Sequence, residues 1–173
     1  MSQASITQER YWKTMTTARF QIFFIDEHQI KSTKLSTMMN IYAALTASGS
    51  VAAWAFWGTL PLKWIWPVLI ALAELMHILR PYLRYDQRSS RLPKLINSLF
   101  ELYFPFENQW LAVSKGEISD KKMNNMISAF NEKWTTTCNT ILNEDHLPEI
   151  DSIMKKSDED NTKYFESNFL RGM

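Results

Sequence analysis

Apolar residues recur along most of this chain at alternating steps of three and four, and that recurrence predicts helices nearly throughout. Between about Ile6 and Ser36, Tyr11, Met15, Ala18, Ile22 and Ile25 form one seam, which Phe20, Phe23 and Phe24 widen. No Gly or Pro interrupts the chain between Met1 and Ser48, so the leading helix is expected to continue as one rod into the next stretch. From Thr37 to Leu60 the pattern changes to an apolar run without a charged residue. A shorter run, Trp64 to Leu79, follows. Periodicity then returns. Leu95, Leu99, Leu102, Phe106, Trp110 and Val113 predict a helix after Pro93, kinked at Pro105 where a backbone donor is missing, and ended by Lys115-Gly116-Glu117. Met123, Ile127, Phe130, Trp134, Cys138 and Ile141 predict another, opening at Ser119 as N-cap. After a break from Asn143 to Pro148, the tail is polar until Tyr164, Phe165, Phe169 and Leu170, which predict a short amphipathic helix docking on the bundle or on a partner.

A bilayer core takes about 20 mostly apolar residues as a helix. The first run is long enough, and only Gly58 to Lys63 separate it from the second. The expected fold is therefore an all-α membrane protein. It has an N-terminal cytoplasmic helix over 1–36 and an antiparallel transmembrane hairpin over 37–83. A cytoplasmic helical bundle over 84–148 and a tail over 149–173 follow. Ala44, Ser48 and Ala52 form a four-spaced row of small residues, a surface along which helices approach closely in lipid, against the second span or another copy. Trp54, Trp57, Trp64 and Trp66 surround the turn and read as an interfacial belt, although core aromatics of a soluble helical domain would use the same rings. Arg10, Lys13, Arg19, Lys31 and Lys34 precede the hairpin, Arg80, Arg84, Arg88, Arg91 and Lys94 follow it, and the turn holds only Lys63. That bias puts both termini on the cytoplasmic side of a bacterial inner membrane.

Glu74 and His77 lie three apart on the second run and share a helix face. A charge at mid-bilayer costs about 2.5–3.5 kcal/mol on insertion scales, so such residues usually face a bundle interior or a water path. Glu74 then lines a pore or ion path formed by several copies. In the alternative, it sits near the headgroups and pairs with His77 or Arg80.

Composition changes this picture little. The chain has 173 residues, 46% hydrophobic and 13% aromatic, with four Gly, and the scarcity of Gly disfavours a turn-rich β fold. The mean hydropathy of -0.25 averages an apolar hairpin with polar flanks. A net charge of +1 gives no electrostatic reason to expect nucleic-acid binding by the whole surface. The single cysteine, Cys138, excludes an intramolecular disulfide and a multi-Cys zinc site; on its seam it reads as a small core residue. Met1 to Lys13 has no apolar core, so the first hairpin helix is expected to serve as its own insertion signal. His146 with Glu144, Asp145 and Glu149 lacks regular ligand spacing and reads as a solvated acidic loop. No phosphate-cradling Gly loop, GxSxG or HExxH is present. No catalysis, cofactor, metal or small-molecule substrate is expected.

Arg10-Tyr-Trp-Lys13 and Ala18-Arg19 in the leading helix, the tight hairpin, and Lys115-Gly-Glu-Ile-Ser-Asp120 behind it give a layout that resembles the SLATT-type two-transmembrane effectors of bacterial antiphage systems. It is also similar to the two-span effectors found beside retron reverse transcriptases. The resemblance implies a toxin-like effector held inactive by a sensor such as a reverse transcriptase–nucleic acid complex. Once released, it would oligomerise and permeabilise the inner membrane, ending in growth arrest or cell death (abortive infection). The Glu74/His77 pair and Pro105 depart from that layout. The alternative is a non-toxic membrane anchor or scaffold that recruits a partner through its cytoplasmic helices.

Overall fold

The computed structural model describes residues 5–56, 68, 71, 72, 74, 75, 78, 85–143 and 145–170. Among these residues the chain is helical and no strand occurs. It divides into two compact units, Met1–Gln29 with Arg91–Met173, and Ile30–Ser90.

α1 spans Ile6–Phe56, 51 residues without a break. A reciprocal capping box starts it: the Gln8 backbone N–H donates to Ser5 Oγ at 3.2 Å, and the Ser5 N–H donates to Gln8 Oε1 at 2.8 Å. Tyr11, Met15, Ala18, Ile22 and Ile25 are all buried, so the expected seam is the one that packs. α2 spans Tyr85–Asn108 and contains both Pro93 and Pro105. It begins earlier than its apolar pattern predicts, and neither proline ends it. The stop comes at Gln109, whose N–H bonds to the Phe106 carbonyl at 3.3 Å, and a short α3, Trp110–Ser114, follows. Gly116 closes α3 at φ +74, where a side chain would be strained, and Glu117 N–H reaches back to Ala112 O at 3.0 Å.

α4 spans Asp120–Leu142, with Ser119 at its N-cap in extended conformation but making no side-chain cap bond. Met123, Ile127, Phe130 and Trp134 are buried as expected, and Cys138 and Ile141 pack against the core. α5 spans Asp151–Phe165 and runs into a π turn, Glu166–Leu170. The terminal helix is thus longer than the tail's apolar residues predict.

The core of the first unit is organised around Phe106. Its ring stacks on Tyr11 of α1 at 4.1 Å and on Phe130 of α4 at 4.2 Å. The Tyr11 hydroxyl donates to the Phe106 carbonyl at 2.6 Å. On α2 the fully buried position is Tyr103 rather than Leu102, which is only partly buried. Stepping four from Leu99 puts Tyr103 on the inner face, and Glu107 accepts from its hydroxyl at 2.9 Å. A buried polar end is tolerated when it is hydrogen-bonded.

Among the described residues no helix is long and apolar enough to cross a membrane. The uncharged stretch of α1 after Thr37 includes Asn40, Thr46, Ser48, Gly49 and Ser50, which dilute its apolar character. Residues 57–67, including the expected turn with Trp57, Trp64 and Trp66, lie outside the described residues, as does His77. The helical bundle is present, whereas these helices do not support the expected spans.

Leu99 is fully buried in this core. Leu99→Ala is expected to lower unfolding free energy by about 2–5 kcal/mol in urea titration. A loss below about 1 kcal/mol would mean that this position is not closed off from water.

Candidate functional site

The residues that the sequence singles out do not converge. Glu74 is helical and exposed, while His77 and Arg80, its expected partners, lie outside the described residues. Ala44 is exposed on α1, and Ser48 and Ala52 belong to the same helix. Among the described residues no group of His, Cys, Asp and Glu could hold a metal ion.

A cluster that the pattern does not reveal lies in the first unit. Arg19 sits on α1 beside buried Ala18, on the flank of the seam. Its guanidinium carbon is 4.0 Å from the Tyr164 ring centre, 4.9 Å from Phe23, 5.1 Å from Phe100 and 5.4 Å from Tyr103. α1, α2 and α5 all contribute to this aromatic box. Nε and Nη1 are buried and have no hydrogen-bond partner among the described residues. Each cation–π contact contributes about 0.5–2 kcal/mol, rising as water is excluded. Each buried N–H without an acceptor costs about 1–3 kcal/mol. The two effects are of the same size, so the box holds the cation without a large net gain.

Glu107 supplies the complementary charge through phenols. Tyr103 and Tyr164 both donate to its Oε1, at 2.9 and 2.7 Å. Burial pushes the Tyr164 hydroxyl up to about 12, helped by its bond to Glu107 and opposed by Arg19. Tyr103 is raised for the same leading reason, with Glu107 adding to burial and Arg19 opposing. The arrangement binds three helices through one cation, one carboxylate and two shared hydroxyls. Its chemistry is that of a junction, since neither phenol is activated as a nucleophile or acid near neutral pH. The only signal for it in the sequence is Arg19 itself, a cation between Ala18 and Phe20 in an otherwise apolar stretch.

Two smaller features flank the junction. Lys156 of α5 pairs with Glu27 of α1. Beside it the Asp26 carboxyl is raised, first by burial and then by Glu27, with Lys156 opposing. An open groove of about 390 Å³ runs between α1 and α4, with Arg10, Lys13 and Thr14 on one wall and Phe130, Trp134 and Thr135 on the other. Arg10 Nη1 donates to Asn124 Oδ1 at 3.2 Å. The groove offers cations and hydrogen-bonding groups to solvent.

Both pKa shifts give a sign. A Tyr164 hydroxyl raised from 10.0 to about 12 stays protonated in the fold when the unfolded chain has begun to ionise. The stability it supports is complete below pH 10.0 and is lost as pH rises through about 12. Tyr164→Phe should flatten that alkaline decline in urea midpoints; an unchanged slope would place the decline elsewhere. Asp26, raised from 3.8, favours the fold only while protonated, so its contribution is lost as pH rises from 3.8 through its folded value. Asp26→Asn is expected to raise the urea midpoint at neutral pH, with the difference vanishing in acid.

No protein-family model matches this chain, and no curated protein and no solved structure matches it.

Proposed function

We propose that this chain is a membrane-embedded effector. In this reading the second unit enters the bacterial inner membrane and the helical bundle stays on the cytoplasmic side with both termini. The observation that carries it is the number of exposed apolar residues in the second unit, beside a first unit that exposes Ile6, Phe104 and Leu111 but has a buried core. In the first, the α1 seam is buried against Leu95, Leu99 and Ile127. In the second, Met38 is 67% exposed, Ile41 55%, Val68 54% and Ile78 61%, with Leu72 and Leu75 close behind. Val68, Leu72 and Leu75 are each helical, and their sequence spacing is four then three. Contiguous apolar surface on a soluble monomer is unusual, and lipid or further copies relieve it. A two-helix hairpin cannot enclose a channel alone, so several copies would have to share the lesion. The resemblance to two-span antiphage effectors supplies the remainder: a sensor holds the bundle, and release lets the protein assemble and permeabilise the membrane.

One observation favours the anchor reading. The groove beside Arg10 and Lys13 presents two cations on a helical bundle, a surface suited to recruiting an acidic partner.

Induced expression of this chain alone in bacteria, with a voltage-sensitive dye, separates the two. The effector reading expects depolarisation before viability falls, absent from a control with residues 37–83 scrambled, and slowed by Glu74→Gln. A stable potential in cells whose membranes retain the protein through carbonate extraction would sink it in favour of the anchor.

A further inference from the structure

We infer that α5 with its π turn is a releasable strap over α1 and α2, and that its opening uncovers the Arg19 junction in a single step. The seam by which α5 docks is the observation. Along α4 the buried positions are Met123, Ile127, Phe130 and Trp134, all apolar. Along α5 they are Ile153, Ser157 and Phe165, with Asn161 half-buried on the same face. Ser157 is fully buried, yet its hydroxyl donates to the Ile153 carbonyl of its own helix at 2.8 Å and so adds no bond across the interface. Asn161 Oδ1 is buried without a hydrogen-bond partner among the described residues. The middle of the helix is therefore poorly matched to a dry surface, since each buried polar atom left unpaired opposes docking.

Attachment is concentrated at the ends. Near the start, Lys156, itself exposed, pairs with Glu27. At the far end Phe165 and Phe169 pack edge-on against Trp12 at 5.1 and 5.6 Å, and Tyr164 covers Arg19 while bonding Glu107. Opening would not only break these contacts. It would also return water to Arg19 Nε and Nη1 and to Asn161 Oδ1, groups that the closed form leaves without acceptors or donors. An element held by its ends, with polar groups that gain partners on leaving, opens locally more easily than the whole domain unfolds. The uncovered face then holds Trp12, Arg19 and Phe23 with Glu107 beside them, and aromatic rings and Arg are the residues enriched at protein–protein interfaces. In the effector reading, on which this consequence alone rests, the strap is the restraint whose release lets a second copy meet that face.

Hydrogen exchange followed by mass spectrometry on the full chain tests the strap without reference to toxicity. Amides of 151–165 are expected to exchange at least about tenfold faster than those of 120–142. Asn161→Leu should slow exchange in α5 by about tenfold and leave α4 unchanged, by removing the buried unpaired acceptor. Asn161→Ala serves the same purpose with less bulk. Tyr164→Ala should speed α5 alone. Exchange of α4 and α5 as one unit, or variants that shift both helices equally, would overturn the strap. Dye measurements with the same variants then address the link to activity. Depolarisation that tracks α5 opening supports it, whereas selective exchange with an indifferent potential leaves the strap standing and removes its role as the restraint.

Discussion

The Phe106 ring, held between Tyr11 and Phe130, is the contact on which the bundle depends. It joins the leading helix to segments that follow it by about a hundred residues or more, and it does so at the residue after a proline. Pro105 cannot donate to the helix ladder. The carbonyl of Phe106 is nonetheless used, since the Tyr11 hydroxyl donates to it. Ring stacking and that hydrogen bond fix one register between α1 and α2, and the rest of the seam follows from it. Leu99, Leu95 and Leu92 share one buried core with Met15, Ile22 and Ile25.

Arg19 and Glu107 show how the same core accommodates charge. A direct ion pair would bring both desolvated groups together, an arrangement that often only breaks even with an apolar replacement. Here the cation faces rings, and the carboxylate accepts from two phenols. Each tyrosine turns an apolar ring to Arg19 and its polar end to Glu107, so the two charges share partners without touching. This makes the junction dependent on the last helix, because Tyr164 supplies both the nearest ring and the shorter of the two bonds.

The seams of α1 and α4 were legible because every position in them is apolar and no proline or glycine interrupts their buried parts. α2 was read too short because Pro93 looks like a boundary, while a helix whose neighbours hold it can run through a proline. The full extent of α5 was hidden for the opposite reason. Ser157 and Asn161 stand where an apolar residue would mark the pattern, so periodicity appears only at Tyr164 and Phe165. Of the Arg19 box only the cation itself was visible, since its walls come from Phe23, Phe100, Tyr103 and Tyr164, brought together by packing rather than by spacing. The apolar run after Thr37 was legible as helix; its hydroxyl and amide residues are what separate a charge-free run from a strongly apolar one.

The first unit is discontinuous, built from Met1–Gln29 and Arg91–Met173. A ribosome therefore releases the α1 seam long before its partners exist. Tyr11, Met15 and Ile22 must wait, uncovered, while the whole of Ile30–Ser90 is made. Closing a loop of that length adds only a slowly growing entropic cost, so the delay is a matter of order in time rather than of final stability. The first unit can close only after the second stretch of chain has been made. A chaperone or a nascent partner that shelters the leading helix during that interval would act on the protein before any folded form of it exists.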